Sequence, residues 1–592
     1  MQYSVLLSNL FRFLLPPALL FTTYLYLYPA IQGCAFPNPR YERVETTCWL
    51  DRSKPGQQPA DANAAKKDVS VAPFRLLALG DPQLEGDSSL PDSNAATCPS
   101  LYRLGQDFGN VSIWNVSTIL KDTLIDFITK DVPSLIQLYR KRLDLWGNDY
   151  YLAHIYRTVH WWTAPTHVTV LGDLLGSQWV SDEEFERRSE RFWKRVFKHG
   201  ERVSEKITTS SMTETLGEDG AWNRRVINVA GNHDIGYAGD IDEHRIERFE
   251  RAFGRVNWDI RFQFLPNKSA VSSATSTAAP FFLPPNQPPE LRIVVLNSMN
   301  LDTPAHNSAL QAETYDFINS LIASSRPVED RTHATVLLTH IPLHKEAGVC
   351  VDGPFFDFFA SDEGGGIKEQ NHLSMHTSRG VLEGVFGMSA DGDKPAGGRG
   401  RNGVVITGHD HEGCDVYHYV NRSAAAGSSD GEAWKAARWR QVRHLARNED
   451  VPGVREITVR SMMGDFGGNT GLLSAWFDEA VNEWRFEYST CLLGVQHIWW
   501  AVHILDMAVL LSGFGSLIAT VLEALVNSKR ELRSDRVSLK GHSKPAAEPP
   551  QQRMGQEGDR KVQSSHAVHG DGHKGGPNIG PVEYRSVVRR KP

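Results

Sequence analysis

Residues 225–234 read RVINVAGNHD, an apolar run rich in β-branched residues that breaks abruptly into Gly231-Asn232-His233-Asp234. Such a run, without polar alternation, predicts a strand buried on both faces, and the glycine behind it predicts a sharp turn. The pattern occurs four more times. Phe74–Leu79 (FRLLAL) runs into Gly80-Asp81-Pro82-Gln83, and His167–Leu171 (HVTVL) into Gly172-Asp173. Ala334–Leu338 (ATVLL) runs into Thr339-His340, and Val404–Ile406 into Gly408-His409-Asp410-His411. Segments 182–197 and 243–253 read as covering helices, so a layered α/β architecture is expected.

Strand ends that share one edge of such a sheet bring sequence-distant loops into one crevice. Here the crevice would collect Asp81, Gln83, Asp173, Asn232, His340, His409 and His411. Seven oxygen and nitrogen donors without a thiolate are too many for one catalytic metal and suit two that share a carboxylate. The glycines before Asp81, Asp173, Asn232 and His409 let the backbone come close to such ions. Taken singly, a Gly-Asp after a strand is a turn, and Asn232 or Asp234 is a helix cap. Five clusters in this order, each behind a buried strand, point instead to a two-metal hydrolytic site.

The rest of the chain says where such a body resides. Its 592 residues carry 63 basic and 70 acidic side chains, a formal charge of −7, which offers no basic field for nucleic acid. With 41% hydrophobic and 22% charged residues it is neither wholly disordered nor a polytopic membrane chain. Two uncharged or nearly uncharged stretches flank the body. Phe13–Ile31 is long enough to cross a bilayer as a helix, a cleaved secretory peptide being the alternative. Ile498–Val526 opens with Trp499-Trp500 and is followed by Lys529, Arg530, Arg533 and Arg536, an aromatic interface at one end and a basic one at the other. A buried core helix is the alternative there, and His503 and Asp506 would face a partner helix or the interface.

The expected order is therefore a cytosolic segment 1–12, a membrane helix or signal anchor 13–31, a lumenal body 32–497 with inserted loops, a membrane helix 498–526 and a disordered cytosolic tail 527–592. All six cysteines, at 34, 48, 98, 350, 414 and 491, fall between the two apolar stretches, as an oxidising lumen allows. Fifteen pairings are open, a Cys350–Cys414 bridge among them. Asn-x-Ser sequons at Asn110, Asn115, Asn267 and Asn421 lie in the same interval.

The clusters over Phe74–His418 resemble the calcineurin-like metallophosphoesterases, whose pattern is D-x-H, GD, GNH[DE], H and GHxH. That resemblance implies a β-sandwich flanked by helices and two divalent ions, manganese first, with zinc, iron or magnesium as alternatives. It assigns Asp81, Gln83, Asp173 and His411 to one ion, and Asp173 as bridge with Asn232, His340 and His409 to the other. His233 would be the catalytic histidine, oriented by Asp234. Gln83 departs from the family, which has histidine there; an amide oxygen would hold the first ion less tightly and favour manganese or magnesium over zinc. GDPQLEG, THIPLH, GHDHEGCD and SMMGDFGGNTGLL, with a terminal membrane helix on each side, resemble the fungal Cdc/Ted relatives of the PGAP-type phosphodiesterases. These imply a membrane enzyme of the endoplasmic reticulum or Golgi, its catalytic domain lumenal. Its substrate would be a glycosylphosphatidylinositol (GPI) glycolipid or GPI-anchored protein, from whose mannose it removes an ethanolamine-phosphate branch, supporting cargo export. A catalytically weak cargo adaptor and a lumenal phosphomonoesterase are the alternative functions.

Overall fold

In the computed structural model, residues 2–39, 71–86, 98–107, 116–265, 287–422, 433–447 and 451–540 are described. These described residues divide into two units, one up to Ala519 and one from Thr520 onward. The first unit is built on two packed β-sheets. Strands β1 (Phe74–Leu79), β2 (His167–Val170) and β3 (Arg225–Asn228) run parallel in one sheet. Strands β4 (Trp258–Gln263), β5 (Glu290–Val295), β6 (His333–Leu338), β7 (Asn402–Thr407), β8 (Cys414–Val420), β9 (Trp434–Arg438) and β10 (Gly453–Thr458) belong to the other. The first sheet is completed by β11 (Asn469–Asp478) and β12 (Glu483–Leu492), an antiparallel hairpin whose β11 lies against β1. Its order is β12-β11-β1-β2-β3 with Glu201–Arg202 at the edge; the second runs β9-β8-β10-β7-β6-β5-β4 with Thr213–Thr215 at the edge.

The period-two geometry of a strand explains why these runs are apolar throughout. In β1, Phe74, Leu76 and Ala78 enter the core between the sheets with Leu291, Ile293, Val336, Leu338, Val404 and Ile406. Leu77 and Leu79 point the other way, into a core shared with helices. Each such buried aliphatic side chain contributes roughly 1.5–3 kcal/mol. The first sheet is covered by α2 (Val132–Thr163) and α3 (Asp182–Arg191), with α4 (Glu243–Phe253), and the second by α5 (Ser308–Ala323). The architecture is thus the helix-flanked sandwich that the family resemblance implies. The helix expected over 182–197 is α up to Arg191 and then a wider π turn, Phe192–Val196, which buries Phe192 and Val196.

Both terminal stretches are helical, α1 (Gln2–Ile31) and α6 (Gln496–Lys540). Their apolar windows have mean hydropathies of 1.6 and 2.0, and only 6% and 11% of those windows is covered by protein. Long, apolar and uncovered, they anchor the chain in a membrane. Residues 2–12 continue α1, and α6 runs past Val526 to Lys540, where Lys, Arg, Glu and Leu favour helix. Within the first unit the two helices pair antiparallel: Thr22 Oγ1 lies 2.9 Å from both carboxylate oxygens of Asp506, and Phe11 packs over Gly513. Asp506 therefore meets a partner helix. The body ends of the pair are tied by the Cys34–Cys491 disulfide, and a second disulfide joins Cys350 to Cys414. The tail beyond residue 540, Cys48, Asn110, Asn115 and Asn267 lie outside the described residues.

Candidate metal centre

The five loops that follow β1, β2, β3, β6 and β7 meet at one edge shared by both sheets. Close approach is built in by glycine. A Cβ on Gly172 (φ 94°) would sit 2.1 Å from His340 Nδ1, and one on Gly231 would sit 2.2 Å from the Asp173 amide nitrogen. The donor residues themselves are bent: Asp81, Gln83, Asp173 and His409 all take left-handed backbone angles, φ 44°, 43°, 49° and 73°. Side chains other than glycine seldom adopt that region, and when they do the strain is carried by the surrounding structure, commonly at functional sites.

These turns bring the predicted donors into contact. Ligand atoms of Asp81, Asp173 and His411 all lie within 4.8 Å of one another. Gln83 Nε2 is 3.1 Å from Asp173 Oδ2 and 3.3 Å from His411 Nε2, so the side-chain amide stands in the same cluster. On the other side of Asp173, His340 Nε2 is 3.4 Å from Asp173 Oδ1 and 3.1 Å from Asn232 Oδ1. His409 joins through its ring, 5.0 Å from that of His340, and its backbone N–H donates to Asp81 Oδ1 at 3.0 Å. Asp173 is central to both groups, the place of a bridging carboxylate.

The chemistry of this set fits cations. Asp81, Asp173, Asn232 and His340 are each at most 5% exposed, and Asp81 Oδ2 is buried with no hydrogen-bond partner. A buried carboxylate oxygen left bare costs several kcal/mol unless a cation meets it. The histidine rings are oriented as ligands. His340 Nδ1 donates to the Leu171 carbonyl at 2.6 Å, and His409 Nε2 donates to the Gln370 carbonyl at 2.9 Å. Each bond fixes the tautomer and leaves the other nitrogen's lone pair for the cluster, the arrangement typical of metal-ligating histidine. Burial, reinforced by His340, pushes His409 down to about 3, so it stays a neutral donor. Burial also opposes ionisation of Asp173, yet the imidazoles of His340, His233 and His409 pull it down to about 2. Asp81 moves the opposite way, well above its ordinary value, because of burial and the charge of Asp173.

His233 stands apart from the buried donors. Its side chain is 38% exposed, its ring Nε2 is 3.8 Å from Asp173 Oδ2, and its backbone N–H donates to Asp173 Oδ1 at 2.9 Å. Asp234 does something other than orient that ring. It is fully buried, and its carboxylate accepts from the backbone N–H groups of Gly231 (2.9 Å), Leu174 (3.1 Å) and Leu175 (2.9 Å). It therefore clamps the Asn232 loop to the Asp173 loop and positions both. Burial and the charge of Asp173 push Asp234 up to about 8, against the pull of those three N–H groups.

A cavity of about 430 Å³ opens from Asp81, Gln83 and His411 and is walled by Leu145, Asn148, Asp149 and Leu152 of α2 and by Met463–Phe466. Sequence reading did not assign that wall to the site. Nor did it assign Ser461, whose Oγ donates to the Asp81 carbonyl at 3.1 Å. The available signal was the polar SMMGDFGG segment behind β10, where Asp465 and Phe466 also have positive φ.

No family model matches the chain. It is 32% identical over 409 residues to Protein TED1 of Saccharomyces cerevisiae, an alignment covering 61% of this chain and 75% of that one. An uncharacterized protein of Schizosaccharomyces pombe is 28% identical over 398 residues, 62% of this chain and 79% of its own. Metallophosphoesterase 1 of Mus musculus is 24% identical over 281 residues, 47% and 57% respectively.

Proposed function

Because the chain belongs to the calcineurin-like metallophosphoesterases, in the branch that holds Protein TED1, we propose that it is a phosphodiesterase of GPI anchors. It removes an ethanolamine-phosphate branch from a mannose and supports export of the anchored proteins. The coarser activity, phosphoester hydrolysis, is that of the family. The observation that carries the reading is the convergence of six further donor residues around Asp173 beside a cavity in a membrane-anchored body.

One cation would be held by Asp81, Gln83, Asp173 and His411, the other by Asp173, Asn232, His340 and His409. Two divalent ions, manganese foremost, would supply positive charge against the phosphate oxygens and lower the pKa of the attacking water. The protein's own part is positional. Asp173 fixes the spacing of the two donor groups, and Asp234 holds the loops that carry Asp173 and Asn232. His233, at the accessible rim, protonates the departing sugar oxygen as general acid. Gln83 presents Oε1 to the cluster once its amide turns over, an oxygen donor suited to a harder ion. The body is assigned to the lumen of the endoplasmic reticulum or Golgi, where its six cysteines and the GPI substrate are both accommodated.

The test is mass-spectrometric profiling of anchor glycans in cells lacking the protein, with wild type or His233→Ala restored. Retained ethanolamine-phosphate that only wild type removes supports the proposal. Equal rescue by both indicates a cargo adaptor, and unaltered glycans with a loss of phosphomonoesterase activity indicate a different substrate.

A further inference from the structure

The helix that walls the cavity carries a second surface. Along α2, Ile136, Tyr139, Leu143, Trp146, Tyr150 and Trp161 follow a spacing of three, four, three and four residues and then eleven, which keeps them on one helical face. Each is between 36% and 66% exposed. The opposite face buries Leu145, Leu152 and Val159 in the core. A soluble body seldom leaves so long an apolar stripe uncovered.

The spanning helices show what covers it. The body end of α6 rests on α2, with Trp500 against Gly147 and 6.4 Å ring to ring from Trp146, and with Trp499 6.0 Å from Tyr151. The body end of α1 does the same, with Tyr26 5.1 Å from His154 and the Cys34 carbonyl accepting from Trp162 Nε1 at 2.9 Å. A helix that crosses the body ends of both membrane helices lies at headgroup depth. The stripe is continuous with those contacts, since Trp146 belongs to both. Two cations edge it: Arg140 on one side and Arg142 on the other, the latter 5.9 Å over the Tyr139 ring. Apolar and aromatic residues on one face with basic residues along its margins are the signature of a helix lying in a bilayer surface.

We propose that α2 is an interfacial membrane helix whose 136–161 stripe is embedded among lipid headgroups and upper acyl chains. The same helix contributes Leu145, Asn148, Asp149 and Leu152 to the cavity, so a phosphoester group would reach the metal centre while its lipid stays in the bilayer. The proposal rests on the membrane anchoring and not on the reaction, so a chain inactive on every phosphodiester still tests it.

The experiment is photocrosslinking of the full-length protein in vesicles of phosphatidylcholine and phosphatidylserine. Benzoylphenylalanine replaces Leu143 or, as control, the exposed polar Gln137 on another face of the helix. Lipid adducts at position 143, lost at 137, are expected by mass spectrometry. Equal adducts at the two positions, no lipid adduct at 143, or a crosslink from 143 to protein would overturn the proposal. Protease resistance matching wild type certifies folding. Should position 143 fail that check, the probe moves to Ile136, where the same outcomes decide.

Discussion

Asp234 separates a positioning role from a catalytic one. Its carboxylate takes three buried backbone N–H groups, from Gly231, Leu174 and Leu175. In Asp234→Ala all three donors lose their partner, and each unsatisfied buried donor costs ~1–3 kcal/mol, so after relaxation a loss of about 3–5 kcal/mol is expected. Asp234→Asn keeps one acceptor oxygen for two donors but turns an NH₂ toward the third, a loss of about 2 kcal/mol. In both variants the Asn232 and Asp173 loops drift apart, and a shift of about 1 Å at such a site lowers turnover about a hundredfold. Thermal unfolding in detergent and a pH–rate profile on a chromogenic phosphodiester read the two effects. We expect the order of stability wild type, Asn, Ala, with the alkaline limb of the residual rate, where a general acid loses its proton, unmoved, since His233 takes no bond from Asp234. Unchanged stability together with a shifted limb would show that Asp234 acts through the imidazole instead, and would refute the reasoning.

Gln83→His restores the imidazole usual in the family at a backbone angle histidine tolerates better than most residues, φ 43°. Activity is expected to persist while the metal giving the highest rate moves from manganese toward zinc; an unchanged ranking in metal-replacement assays would place the side chain outside the coordination shell. Elsewhere, Glu456 is buried with Lys345 Nζ at 3.1 Å and His418 Nε2 at 2.6 Å. Burial alone would raise it, but Lys345 and then His418 pull it from 4.5 to about 2. Burial lowers Lys345, and the Glu456 carboxylate beside it opposes that shift. Because the folded value lies below the unfolded one, its stabilisation is complete above about pH 4.5 and is lost as the pH falls through about 2. Glu456→Gln is expected to cost about 3–5 kcal/mol at pH 7, a gap that narrows over that window. A gap that stays constant down to pH 2.5 would be the contrary outcome, measured by denaturant titration at about pH 7, 4 and 2.5.

Much of this was legible in the chain because the information is local. A β-branched run that stops at Gly-Asp or Gly-Asn-His reports both the strand and the turn, and five such turns name Asp81, Asp173, Asn232, His340 and His409 without any long-range knowledge. The division of those strands between two sheets was not legible from the runs themselves. β1, β2 and β3 carry the same signal as β6 and β7, and only tertiary pairing, including the antiparallel insertion of β11 beside β1, decides which sheet each joins. Asp234 illustrates a second limit. Its place after His233 suggests a side-chain partner, whereas burial commits it to backbone donors from a loop about sixty residues earlier. The α2 wall was missed for a third reason: its apolar residues are split between core and exterior, so its sequence lacks the clean periodicity of a single buried face.

The convergence of the five loops on a pair of cations is tested most directly by elemental analysis. Folded wild-type protein, saturated with manganese and desalted, is expected to carry two ions per chain, and Asp173→Ala, lacking the shared carboxylate, fewer than one. Wild-type protein that is folded and yet retains no divalent ion, or an Asp173→Ala variant that retains two, would contradict it.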